Sequence, residues 1–398
     1  MRRLWVAGVL LAALDPTLAA GPVSVDPGDL IARAYHAAFN LDYDEAASLA
    51  RKATIEAPDD SRTHRTLASV LWMHMLFARG VITVDNYMGS VTKSAKALPP
   101  VPVALDVEFQ VEIRRAADLA DARLKREPNN LDAEQDVASV SALEASYITS
   151  VKGSVMSAFT PAKRAFQLDD EVLSKDPNRS SAALVVGVYR YLVSTFSMPT
   201  RWFAYLAGFG GGKEKGISLI ESAAAGGESH VEASAALMLI YTREGRHRDA
   251  EQIAHRLVTE FPRSRVFELE EGAAAARAGL GAEADSILSH GIEKLKTDPR
   301  PRFPGEDAYW FYKRSIARTE MRHYPDAKAD LQSALGAHPI DWIAGRIHLQ
   351  IGRIDDLTSQ RTTAVTEYKQ AKAICEAQND PICAEEAARL MKTAYTGK

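Results

Sequence analysis

Five prolines, Pro58, Pro128, Pro177, Pro262 and Pro339, each stand twelve residues after an alanine, at Ala46, Ala116, Ala165, Ala250 and Ala327. A spacing repeated in this way across 398 residues points to a chain built by stacking one small unit, so periodicity has to be read before domains are counted from length. The spacing has a physical reason. Two short antiparallel helices pack closely only where a small side chain lets their backbones approach, and the second helix must then be stopped. Alanine meets the first need, and proline, with no N–H to donate, meets the second. Between these marks apolar residues recur at three and four rather than at two, and the chain is rich in Ala, Leu, Glu, Arg and Lys. Helices are therefore expected throughout and strands hardly at all.

Weaker matches at Gly216, Ala284 and Ala364 extend the pattern to eight anchors, and two of the intervals between them, 216 to 250 and 250 to 284, are 34 residues. The clearest unit runs from about Val231 to Pro262, with Leu237, Tyr241, Gly245, Ala250 and Pro262, and the next has Gly272, Gly279 and Ala284 in register. In period and in these residues the chain resembles the tetratricopeptide-repeat family. It departs from the family pattern at Met238, where the family has Gly, and at Ala254, where it has an aromatic. The resemblance covers nearly all of residues 27–376 and implies an all-α solenoid of about eight helix pairs. A helix over 382–396, with Glu385, Glu386, Arg389 and Lys392 turned outward, is the polar cap that the end of such an array requires. Residues 21–398 are thus expected to form one elongated body.

The longer intervals call for insertions. Gly80–Asp106, containing Leu98-Pro99-Pro100-Val101-Pro102, is expected to cross between a helix at about Ser61–Ala78 and one at about Val107–Arg126 as stiff, extended or looped chain. Phe196–Gly212 is expected to separate the helices of the fourth unit, and Thr297–Gly305, with three prolines, to form a rigid connector. Seven aromatics lie between Tyr189 and Phe209. They read first as a plug that packs back on the widened repeat, and second as a contact patch formed by Trp202 and Phe203 with Lys213 and Lys215. The glycine-rich run Gly208–Gly216 is not a nucleotide loop: Ala207 stands where its first glycine is needed and Glu214 where it has Ser or Thr. A turn leading into a helix near Lys213 is expected there instead.

Arg2 and Arg3, the apolar run Leu4–Leu14 and the small-residue end Thr17–Ala20 form the three parts of a secretory signal, so residues 1–20 are expected to be removed and the protein to be periplasmic. In that compartment Cys375 and Cys383, the only cysteines, are expected to form a disulfide across a short turn before the cap. With 46% hydrophobic and 25% charged residues and a formal net charge of −4, the composition argues against disorder and gives no support to nucleic-acid binding through phosphates.

No reaction is written in the chain. Ten histidines form no His-x-x-x-His or Cys/His constellation, there is no Gly-x-Ser-x-Gly elbow, and no metal or cofactor is expected. The acidic pairs Glu270-Glu271 and Asp355-Asp356 are expected on solvated helix faces. What the resemblance implies is a superhelix whose first helices line a concave groove, with contact positions falling on Tyr35, Thr242, Arg243, Arg277, Tyr309, Tyr312, Glu320, Arg346 and Arg353. Tyrosine and arginine often anchor interfaces. The expected function is therefore a non-catalytic scaffold or adaptor of the cell envelope that holds a protein or peptide. The alternatives are a protein of the membrane surface, and an enzyme with a site hidden in the insertions 80–106 and 196–216.

Overall fold

A computed structural model describes residues 26–88, 98–196, 208 and 211–397. Among these residues there are seventeen α-helices and no strand. They pair in chain order: α1 (Pro27–Phe39) with α2 (Tyr43–Glu56), α3 (Ser61–Ala78) with α4 (Val103–Arg126), α5 (Leu131–Ser150) with α6 (Val155–Lys175), and α7 (Ser180–Thr195) with α8 (Lys213–Ala224). The second half continues with α9 (His230–Arg243) and α10 (His247–Glu260), α11 (Arg265–Arg277) and α12 (Gly281–Leu295), α13 (Glu306–Glu320) and α14 (Tyr324–Gly336), then α15 (Asp341–Leu357) and α16 (Arg361–Ala377). A last helix, α17 (Pro381–Lys392), packs on α16. The result is an all-α, tetratricopeptide-like solenoid of eight helical hairpins with a C-terminal cap.

All eight anchors lie on the second helix of their hairpin. Ala46, Ala116, Ala165, Ala250, Ala284, Ala327 and Ala364 have no exposed surface. At the eighth, Gly216, a Cβ would come within 2.8 Å of the carbonyl oxygen of Gly187 on α7, an approach open only to glycine. The prolines act as stops: α2, α4, α6 and α10 each end two residues before theirs.

A second regularity appears only in the backbone. Leu41, Gly245, Gly279, Arg322 and Ser359, each five residues before an anchor, turn the chain between hairpin helices with φ of 65°, 73°, 75°, 62° and 60°. Two of these left-handed turns use glycine; the other three place a side chain in a conformation that costs L-residues about 1–2 kcal/mol.

The array closes on itself. Arg300 donates to the Asn40 carbonyl at 2.7 Å, and the Asn40 side chain accepts from the Arg263 amide at 3.1 Å. The Phe77 ring meets Phe303 edge to face at 6.0 Å, and Phe39 meets Phe261 at 5.3 Å. The proline connector before α13 is thus a clasp that holds the first hairpins against the sixth and seventh. Arg265 is its buried pin, bonded to Glu306 at 2.7 Å, Asp298 at 2.6 Å and the Pro301 carbonyl at 2.6 Å.

One boundary needs correction. Helix α4 starts at Val103, four residues before Val107, because Pro102 itself sits at its N-cap. Of the two forms expected for the crossing segment, the looped one is found where it leaves α3: Val84–Tyr87 form a 3-10 turn whose N-cap Thr83 and residue Asn86 bond each other reciprocally. The sulfurs of Cys375 and Cys383 are bonded, tying α16 to α17. Residues 1–20, Trp202 and Phe203 lie outside the described residues. No helix among the described residues is long and apolar enough to cross a membrane.

Candidate binding groove

The first helices of the hairpins supply the inner face of the closed array, and the crossing segment lies on it. Asp85, at the centre of the 3-10 turn, accepts from Arg277 Nη2 at 2.6 Å and from Lys313 Nζ at 2.5 Å, with Arg346 Nη1 at 3.4 Å. The Tyr309 hydroxyl meets Thr83 Oγ1 at 3.0 Å, Glu270 accepts the Val84 amide at 2.9 Å, and Arg243 donates to the Tyr87 carbonyl at 2.6 Å. Helices α9, α11, α13 and α15, from four successive hairpins, thus grip four of the five residues 83–87 of the chain itself.

Burial pushes the Asp85 carboxyl up, but the charges of Lys313, Arg277 and Arg346 outweigh that effect and hold it well below the usual carboxylate range. Lys313 is lowered by its own burial, against the pull of Asp85, and Glu270 is raised by burial despite Arg277 beside it. Each of two cations is also held from a second side: Arg346 by Asp380 at 2.7 Å and over the Trp342 ring at 4.9 Å, Lys313 over the rings of Tyr309 and Tyr312 at 5.5 Å. Chemically this is a preorganised carboxylate receptor with hydrogen bonds for a peptide backbone.

Four of the nine groove positions expected from the sequence, Arg243, Arg277, Tyr309 and Arg346, meet this segment. Tyr312 lies beneath it, buried. The other four lie apart. Tyr35 is half-buried and stacks on Phe39 at 6.2 Å, and Thr242 is buried with its hydroxyl donating to the Met238 carbonyl. Glu320 is exposed at the end of α13, and Arg353 pairs with Glu386 at 3.2 Å. Asp85, Glu270 and Lys313 complete the site without being expected there, because nothing in their local pattern marks them: Glu270 was placed on a solvated face, yet it is 1% exposed. Glu271 is buried too and holds His255 at 2.7 Å. Asp355 is buried against Lys328, and Asp356 accepts from Arg361, Tyr368 and the Tyr395 amide. Neither pair faces solvent: Glu270, Glu271 and Asp355 meet other hairpins, and Asp356 meets the second helix of its own hairpin and the chain after α17.

Of the expected contact patch, Lys213 pairs with Glu244 at 2.6 Å and Lys215 is exposed. Tyr189 and Phe196 pack back on the cluster of Phe166, Val186 and Val193, as a plug would. Glu251, His255 and Glu271 bring potential ligand atoms within 4.8 Å of one another. The His255–Glu271 bond, however, is one of five His–Glu pairs that bridge neighbouring helices at 2.6 to 2.9 Å, with His64–Glu112, His230–Glu260, His290–Glu268 and His348–Glu367. It reads as a recurrent inter-helix tie.

No protein-family description matches the sequence, and no curated protein matches it. Among solved structures the chain is similar to a tetratricopeptide repeat protein from Parabacteroides merdae, at 14% identity over 72% of this chain and 96% of that one, with a TM-score of 0.42. It is similar to yeast Tom70 at 11% identity over 92% and 90%, TM-score 0.39, and to human IFIT1 in complex with m7Gppp-AAAA at 14% over 93% and 83%, TM-score 0.45.

Proposed function

We propose that this tetratricopeptide-like repeat protein is a non-catalytic binding scaffold of the cell envelope, exported by its N-terminal signal, whose inner face holds a short acidic peptide segment of a partner. What supports this is one observation: four successive hairpins already hold such a segment, residues 83–87, through one carboxylate, one hydroxyl and two backbone groups. A face that recognises a turn of its own chain with charge-assisted bonds has the chemistry to recognise another. Glu320 and Arg353 stand at the less buried end of the same face, where a longer partner would continue.

The test is in-cell crosslinking with mass spectrometry on wild type and an Arg353→Glu, Glu320→Lys variant that retains its helical signal. Loss of one partner from the variant is expected; an unchanged partner list removes the assignment.

A second reading, contact with a membrane surface, has one feature in its favour. Val103, Val107 and Val111 form an exposed stripe at four-residue spacing on α4, and Val155, Met156 and Phe159 are exposed at the start of α6. The Lys152–Asp106 pair at 3.1 Å ties the start of α4 to the α5–α6 turn. Liposome flotation that leaves the protein in solution removes this reading.

A further inference from the structure

The five His–Glu ties are not equivalent in what surrounds them. His64 and His230 spend their second ring nitrogen on the carbonyls of Pro58 and Gly227, at 2.9 and 3.0 Å. Glu268, the partner of His290, is also held by the ammonium of Lys294 at 2.7 Å. Among the described residues, His255 is the one histidine with a second carboxylate in reach: Glu251, His255 and Glu271 each bring a ligand atom within 4.8 Å of the other two. The sequence sets this up, since Glu251 and His255 are four residues apart on α10 and so share one face of that helix, toward Glu271 on α11. Glu271 is buried and fixed in place, while the His255 ring is exposed and free to adjust. Glu251 has no hydrogen bond or ion pair among the described residues. Its carboxyl is pushed up, first by partial burial and then by the charges of Glu283 and Glu271, with His255 and Arg248 pulling the other way. Three carboxylates thus gather at one imidazole, and a proton on His255 balances no more than one of them.

We propose that Glu251, His255 and Glu271 form a site for a divalent transition cation of the zinc type, bound by one imidazole nitrogen and two carboxylate oxygens, with water in the fourth position. The class follows from the donors. Imidazole suits zinc and its neighbours in the first transition row, whereas magnesium and calcium ask for oxygen alone. Tetrahedral ligands at about 2.0–2.2 Å from zinc stand ~3.4 Å from one another, which the exposed His255 ring and the unpaired Glu251 reach by side-chain rotation toward the fixed Glu271. The cation takes the place of the proton that His255 Nδ1 and Glu271 now share at 2.7 Å, and that proton leaves to solvent. Because α10 closes the fifth hairpin and α11 opens the sixth, the bound cation clips two successive hairpins together. This site goes beyond the peptide-binding reading and stands without it.

The experiment titrates the untagged, chelator-treated chain with zinc chloride by calorimetry at neutral pH, with magnesium and calcium chloride as comparison cations. Wild type is expected to bind zinc at this site with release of a proton, and magnesium or calcium in excess is expected not to compete. Glu251→Gln and His255→Gln change groups on the surface of α10 and leave the buried Glu271 in place, so both proteins are expected to fold, as read by their helical signal. Each is expected to weaken zinc at least about tenfold, since even indirect support of a metal ligand is worth that much. His290→Gln removes the tie that Lys294 already balances and is expected to bind zinc like wild type. No zinc binding by wild type, unchanged affinity in folded Glu251→Gln and His255→Gln, or an equal loss in His290→Gln would each overturn the proposal.

Discussion

Lys313 Nζ and Asp85 Oδ2 lie 2.5 Å apart, both buried, although 228 residues separate them in the chain. This pair ties the second hairpin's crossing segment to the seventh hairpin. It is therefore a point at which closure of the array can be tested. Removing one partner of a buried pair leaves the other charge uncompensated, which costs about 3–5 kcal/mol. Asp85→Ala and Lys313→Met are each expected to destabilise by that order, and the double variant by less than their sum, as read by denaturant midpoints. Additive effects would show that the two residues act independently.

The same carboxylate gives a pH dependence of known sign. Asp85 is held below its unfolded-state value, so it contributes stability that is present above about pH 4 and is lost as the pH falls further toward the folded-state value. Thermal melts of wild type are expected to drop below about pH 4, and Asp85→Asn to flatten that drop. An equal acid slope in the variant would assign it to other carboxylates.

Asp169 on α6 should behave oppositely. Burial pushes its carboxyl up to about 8, opposed only by the Gln135 amide at 2.7 Å. A raised carboxyl favours the protonated folded state, so its contribution is complete below the unfolded value near 4 and is lost as the pH rises through about 8. Asp169→Asn is expected to match wild type at about pH 4 and to exceed it by about 2 kcal/mol or more at about pH 9, since each tenfold change in proton affinity corresponds to about 1.4 kcal/mol. Parallel stability curves for the two proteins would refute this.

Ser359 and Arg322 occupy left-handed turns that Gly245 and Gly279 fill in other hairpins. Replacing either by glycine relieves the side-chain strain at some cost in unfolded-chain entropy, so Ser359→Gly is expected to stabilise by about 0.5–1 kcal/mol. Gly245→Ala is expected to destabilise by a similar amount. Chemical denaturation of the two variants checks both signs.

At Gly216 the helices approach too closely for any side chain, with backbone atoms of Gly187 and Tyr191 at 2.8 and 2.9 Å from a would-be Cβ. Gly216→Ala forces α7 and α8 apart and is expected to cost about 1–3 kcal/mol despite alanine's better helix propensity. A variant as stable as wild type by thermal melt would mean that the two helices separate easily.

The Cys375–Cys383 bond closes a loop with a sequence separation of 8. On the chain-entropy model, removing it releases roughly 2–3 kcal/mol of stabilisation. Reductant is expected to increase hydrogen exchange in α17 before the rest of the array. Intact protein mass under non-reducing conditions should show no free thiol, and two free thiols would contradict the bond.

How far the fold was legible depended on how local each requirement is. Close approach of two helices demands a small residue at a set position, and helix arrest demands proline or a break, so Ala46, Ala250 and Pro262 report hairpins from a few residues of context. Glycine likewise marks two of the left-handed turns. Leu41, Arg322 and Ser359 carry no such mark, because surrounding helices impose the backbone angle on residues that do not prefer it. For the groove, resemblance to the repeat pattern brought out Arg243, Arg277, Tyr309 and Arg346, which face inward by virtue of their place in a repeat.

By itself, then, the sequence determined the all-helical repeat architecture, the number of hairpins and where most of them turn. Only the tertiary structure decided that the array closes on itself and that its own residues 83–87 lie on the inner face. Helix formation and helix–helix approach are short-range needs that leave a periodic trace. The burial of Asp85, Glu270 and Lys313 depends on partners more than a hundred residues away, and a charge looks the same in sequence whether water or another hairpin surrounds it.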